Sequence, residues 1–190
     1  MTLRRLALLC ALLLLFLAPA YASRRLPDYP VKPAEEYSLK AAQGGAIVGI
    51  ELLDDPDIQR RYFNSRLTEK GILPVFVVVQ NASATDSIIF DNSAVGLADP
   101  ADLSGKENRR VASKLGSGGL LDLGQMRDMT DERENMMKKQ IRSKTLAPGT
   151  SVSGFVYVPV PRNQPRPKIH LQFPIANAQS GETTVLNLDF

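Results

Sequence analysis

The sequence holds one cysteine, Cys10, and one histidine, His170. One thiol cannot close an internal disulfide, and one imidazole cannot build a poly-histidine metal site, so disulfide frameworks and zinc-type clusters are excluded. A cysteine nucleophile is excluded too, because Cys10 falls inside an apolar leader. Charge of one sign is equally scarce. The formal net charge of +3 falls to +1 once Arg4 and Arg5 are removed with that leader, too little to imply a nucleic-acid or anionic-membrane partner. No apolar run reaches the roughly 20 residues of a membrane span. What remains is a chain of 190 residues, 44% of them apolar. That suits one ordinary domain burying roughly 70% of its unfolded surface without staples.

Residues 1–22 have the three parts of a secretory signal. Arg4 and Arg5 supply the positive start, 6–17 the apolar stretch, and Ala20-Tyr21-Ala22 the small-x-small cleavage site. Cleavage after Ala22 is expected, which makes the protein periplasmic or otherwise exported; an uncleaved signal would be the only membrane contact. Cys10 is not placed for lipidation, because Leu9 precedes it and the apolar run continues beyond it. Residues 23–45 carry Pro27, Pro30 and Pro33, then Gly44-Gly45, and predict an extended tether.

The apolar run 46–53 predicts a first strand. Asp55 as cap, Pro56 in the first turn, and Ile58, Tyr62, Phe63 and Leu67 near one face predict a helix of about three turns ending at Gly71. Ile72-Leu-Pro-Val-Phe-Val-Val-Val-Gln-Asn81 is the strongest strand signal: apolar without alternation, hence buried on both faces, with Pro74 required near its start. Residues 87–90 predict the returning strand, which 94–97 extend. Residues 104–143 predict a helical insertion. It opens on the capping box Ser104-Gly-Lys-Glu107, hinges at Gly116-Ser-Gly-Gly119, and restarts at Asp131-x-x-Glu134 with Met137 and Ile141 following.

The last third alternates. Ala147-Pro-Gly-Thr150 has the residue order of a type II turn. Val152, Val156, Val158 and Val160 then share one face, Ile169, Leu171 and Phe173 another, and Leu186, Leu188 and Phe190 a third. Period two, three times over, is the mark of antiparallel sheets buried on one side. Gly71-Ile-Leu-Pro-Val-Phe-Val-Val-Val-Gln-Asn81, followed by Leu146-Ala-Pro-Gly-Thr-x-Val-Ser-Gly-Phe-Val-Tyr157, resembles uncharacterised immunoglobulin-like β-sandwich domains of exported bacterial envelope proteins and lipoproteins. Tyr62-Phe63 ahead of the first run suits that pattern. The resemblance covers roughly 45–190 outside the insertion. It implies a mainly β, immunoglobulin-like antiparallel β-sandwich with a helical insertion and one short additional helix. Its motifs are strand and turn motifs and carry over no site residue.

Candidate chemistry is sparse. His170 lies on the outward side of an alternating strand beside Lys168 and Gln172, and no Gly-x-Ser-x-Gly elbow accompanies it. Asp54, Asp55 and Asp57, or Asp91, Asp99 and Asp102, could offer oxygens to calcium, but neither group follows the calcium-loop spacing; capping and turn formation account for them. Gly116–Gly119 lacks the Lys-Ser/Thr ending of a phosphate loop. Met126, Met129, Met136 and Met137 read first as core filler and second as an adaptable docking face. Pro159, Pro161, Pro165 and Pro167 with Arg162 and Arg166 form a stiff basic loop.

No catalytic residue, metal ligand or cofactor is expected. The reading is a non-enzymatic binding or assembly module of the bacterial cell envelope with a protein partner and no nucleic acid. One alternative is a carboxylate hydrolase using Asp91 with Asp99 on cell-wall material. Another is a membrane-surface protein lying on 120–142, against which the acids Asp128, Asp131, Glu132 and Glu134 argue.

Overall fold

The computed structural model describes residues 26–97, 123, 130–161 and 168–190. Among them the chain is mainly β, with nine strands in two antiparallel sheets and two α-helices. The expected signal (1–22), capping box (104–107), hinge (116–119), Met126, Met129 and the loop 162–167 lie outside the described residues.

Strand β1 (Leu39–Gln43) pairs with β2 (Ala46–Leu52), Gln43 opposite Ala46. Gly44 and Gly45 between them hold φ of 59° and 78°, the two positive values that a tight hairpin turn requires. The expected tether over 23–45 is therefore corrected: its last part is a hairpin strand, and Ala34 and Tyr37 ahead of it are buried. Proline density opposed regular pairing only as far as Pro33; the apolar side chains between and after the prolines anchor the segment to the sheet. Gly49 makes room for this, since a Cβ there would stand 2.5 Å from the Ala34 carbonyl oxygen.

Helix α1 (Pro56–Phe63) starts as expected, the Asp55 Oδ1 accepting from the Asp57 amide at 2.8 Å. It stops after two turns at Asn64, which is left-handed with φ 56°, and not at Gly71. Gly71 instead closes the 3-10 turn Thr68–Lys70. Ile58 in the first turn of α1 faces solvent, 42% exposed, while Tyr62, Phe63 and Leu67 are buried. Gln59 is fully buried yet satisfied: its amide donates to the Leu53 carbonyl, and its Oε1 accepts from the Thr68 amide at 3.0 Å.

Strand β3 (Ile72–Asn81) lies between β2 and, on its far side, β7 (Ser151–Pro159). Pro74 sits just beyond the end of the β2 ladder at Leu52–Val75. Its carbonyl accepts from the Leu53 amide at 3.0 Å, so the missing N–H falls where β2 has already run out. Residues 88–90 form β4 (Ile88–Phe90), but this strand does not return beside β3. It crosses to the other sheet, as does β5 (Gly96–Leu97). Asn81 directs the crossing: its Nδ2 donates to the carbonyls of Asp86 (2.7 Å) and Leu146 (3.0 Å), and its Oδ1 accepts from the Ser83 amide.

Helix α2 (Thr130–Lys139) is the described part of the expected insertion. It ends before Ile141, which is extended and buried between the sheets. Met136 is buried and Met137 is 44% exposed, so Met137 and Ile141 do not form one helical face. Strand β6 (Lys144–Leu146) pairs with β4, and β8 (His170–Asn177) carries β4 and β5 on one side and β9 (Thr183–Asp189) on the other. The turn Ala147–Thr150 is as expected: the Thr150 amide donates to the Ala147 carbonyl at 3.1 Å and Gly149 has φ 74°.

The inner faces of the two sheets meet in one core, with Val48, Val77 and Val156 from the first and Phe90, Phe173 and Leu186 from the second. A second cluster on the outer face of the first sheet joins Phe76, Phe155 and Tyr157 to Phe63, Leu67 and Met136. Among the described residues the layers run helices, sheet, sheet.

Candidate binding cleft

Alternation along β7 sends Val152, Val156 and Val158 inward and Phe155 and Tyr157 outward. It also sorts the backbone. The Phe155 carbonyl accepts from the Ile141 amide at 3.0 Å, so its polar groups point away from β3. In an antiparallel pair these directions alternate by residue, and the polar groups of Ser151 and Ser153 therefore point off the same edge. Gln140 and Ile141 cover that edge at Phe155. They pass so close to Gly154 that a Cβ there would meet the Ile141 backbone at 2.5 Å. Among the described residues, no strand or bridge pairs with it at Ser151 and Ser153.

A cleft of about 480 Å³ opens at this point. One wall is the N-terminal strap, Asp28, Tyr29 and Val31; the other is the end of α2 and the chain after it, including Lys138, Lys139, Arg142 and Lys144. Phe76 and Phe155 lie beneath, and Val152 and Ser153 line the cleft at the sheet edge. Tyr29 holds the strap down: its ring lies 4.6 Å from that of Phe76, 4.8 Å from Tyr62 and 5.5 Å from Phe155. Burial, reinforced by the Glu51 carboxylate, pushes the Tyr29 hydroxyl far above the ordinary phenol range. It therefore stays neutral and acts as a packing group with a hydrogen-bonding tip. The Lys139 ammonium donates to the Pro27 carbonyl and ties the two walls together.

The cations of the rim differ in their engagement. Lys138 pairs with Glu134 one turn earlier at 2.6 Å. Arg142 and Lys144 are exposed and make no ion pair among the described residues. Arginine offers a planar fork matched to carboxylates and lysine a mobile point charge. The arrangement can hold an anionic group above an apolar floor, next to free backbone donors and acceptors. It contains no paired carboxylates and no nucleophile beside a base.

The residues singled out in the sequence lie elsewhere. His170 is on the outer face of β8, its Nδ1 2.7 Å from the Asp189 Oδ1, a cross-strand pair on an open sheet. Asp55 is a helix cap and Asp57 an ion-pair partner of Arg66 at 3.1 Å. Asp91 accepts from the Ser93 amide, the Ser93 hydroxyl and the Ser143 hydroxyl, and these bonds hold its carboxyl below the usual range. Asp99 and Asp102 lie outside the described residues. Among the described residues no group of three or more His, Cys, Asp or Glu side chains is placed to hold a metal, and no helix is long and apolar enough to cross a membrane. Sequence reasoning missed Arg142, Lys144 and Ser153. The signal for them was faint: two cations two apart, Arg142 at the end of the expected insertion and Lys144 just beyond it, and a serine on the outer face of an alternating strand. No family model, no curated protein and no solved structure matches this chain.

Proposed function

We propose that this chain is an exported, non-enzymatic binding or assembly module of the bacterial cell envelope, and that the cleft beside β7 is where it binds. The observation that carries the reading is the cleft itself. Arg142 and Lys144, without an acidic partner among the described residues, stand beside an apolar floor at a sheet edge that no described strand pairs with at Ser151 and Ser153, the composition of a recognition surface and not of a reacting centre. Export rests on the leader pattern of residues 1–22. The immunoglobulin-like resemblance belongs to the same proposal. Its support is that the two motifs behind it touch: the Asn81 amide donates to the Thr150 carbonyl at 2.9 Å, and the Gly149 amide to the Asn81 carbonyl at 2.9 Å.

Position-specific photocrosslinking in intact bacterial cells tests it. A photoreactive group at Lys144 should trap a discrete envelope protein, and the same group at Val185, on the open face of the other sheet, should not. No adduct from position 144, or equal adducts from both positions, would sink the proposal. Recovery of the chain in the cytoplasmic fraction would separately remove its export half.

A further inference from the structure

We infer that the cleft takes an extended, acidic polypeptide segment, which adds to the first sheet as a strand along β7 at Ser151–Ser153. This rests on the binding reading above and names the partner's chemistry. Three independent features converge on it. The polar backbone groups of Ser151 and Ser153 point off the sheet edge, where a peptide backbone can pair with them and a phosphorylated glycan cannot. Arg142 and Lys144 flank that edge, both exposed and without an acidic partner among the described residues. Between them and the strap, the exposed side chain of Val31 and the half-buried one of Tyr29 offer an apolar seat on the outer face. An incoming strand presents its side chains alternately to opposite sides. A segment alternating acidic and aliphatic residues would place carboxylates against the two cations and apolar groups on the seat. Gln140 and Ile141 already occupy the edge at Phe155, so they set the limit of the added strand and fix its register from one end.

The test uses the mature chain and a labelled heptapeptide, Glu-Val-Glu-Val-Glu-Val-Glu, capped at both ends. Binding followed by fluorescence anisotropy should be saturable and should weaken as salt is raised. The double variant Arg142→Glu/Lys144→Glu should lower the affinity by tenfold or more, on the order expected for two reversed rim charges. Ser153→Pro is the sharper variant. The Ser153 N–H faces away from β3, so proline there spares the β3–β7 ladder but removes a donor to the added strand, and binding should be lost. If that variant does not fold, amide exchange on the unaltered chain replaces it: the Ser151 and Ser153 amides should become protected when peptide is added. An N-methylated version of the heptapeptide that binds as well as the parent, or a sulfated polysaccharide that competes while leaving those amides unprotected, would overturn strand addition in favour of a simple anion site. Absence of heptapeptide binding alongside a position-144 adduct in cells would overturn this inference and spare the binding reading; absence of both would remove the two together.

Discussion

In the sheet built from β1, β2, β3 and β7, the strand β3 and the later part of β7 are covered on both faces, by the other sheet within and by the helices and the strap without. Among the described residues, the sheet built around β8 is covered on its inner face alone. The sequence difference follows directly. Along β3 only Gln80 escapes burial, whereas β8 and β9 alternate between core and solvent at nearly every step. A strand buried twice has no position at which a charge is tolerated; a strand buried once has such a position at every second residue. The covered sheet carries the stability and the cleft, because only there do helices, strap and sheet edge meet. On the open sheet, the outward residues form small cross-strand pairs, such as Gln172 with Asn187 at 3.1 Å, and little else.

The sharpest way to break this comparison is to place one substitution in both layers. Val78 is 1% exposed in the outer cluster of the first sheet, beside Ala34 and Tyr37, and Val185 is 40% exposed on the open face. Val78→Lys should abolish cooperative unfolding, since an unpaired ammonium there has neither water nor an acid to satisfy it. Val185→Lys should change stability by no more than about 0.5 kcal/mol. Urea unfolding of both variants reads the contrast. Equal losses would mean that the outer face of the second sheet is covered too.

The junction between the sheets gives the next largest effect. Asn81→Ala strips donors from two carbonyls and an acceptor from the Ser83 amide at a buried site. A loss of about 2–3 kcal/mol is expected, on the scale for buried polar groups left without partners. Asn81→Asp should not restore it, because a carboxylate cannot donate to the Asp86 and Leu146 carbonyls. A smaller loss, about 1 kcal/mol, is expected for Tyr157→Phe, whose hydroxyl donates to the Met136 carbonyl at 2.8 Å. Amide exchange should show that loss mainly in α2, which this bond fastens to β7.

Legibility follows the same division. Period-two alternation is local, so β7, β8 and β9 could be read from valines and leucines one at a time, and the Ala147–Thr150 turn from its proline and glycine. The unalternating run of β3 announced burial on both faces before any partner was known. Three features were hidden because the deciding contacts are ones that periodicity does not report. Gly44-Gly45 looks like the end of a tether until Ala46 and Gln43 are seen to pair. Residues 88–90 look like a return strand until Asn81 is seen to bind Leu146, far along the chain. Ile141 keeps helical spacing with Met137, yet the gap left by Gly154 draws it out of the helix and into the core. The cleft was illegible for the same reason: its strap, its cations and its strand edge come from three separate stretches, and none carries a motif alone.

The gentlest test concerns how the outer layer is fastened. Lys70, on the 3-10 turn, lies 2.6 Å from Glu132 on α2. The hydrogen bond from the Lys70 ammonium holds the Glu132 carboxyl below its ordinary value of 4.5. A carboxyl depressed by folding stabilises fully above its unfolded value, and the benefit disappears as the pH falls through the folded one. The pair should therefore contribute at neutral pH and fade below about pH 4.5, with no counterpart above it. Lys70→Gln should cost at most about 1 kcal/mol at pH 7, as for a partly exposed ion pair. Its unfolding curve should converge on that of the unaltered chain as the pH drops below 4.5. A gap that stays constant down to pH 3 would show that Lys70 acts through packing, and that α2 is held to the covered sheet by Met136 and Tyr157 without help from charge.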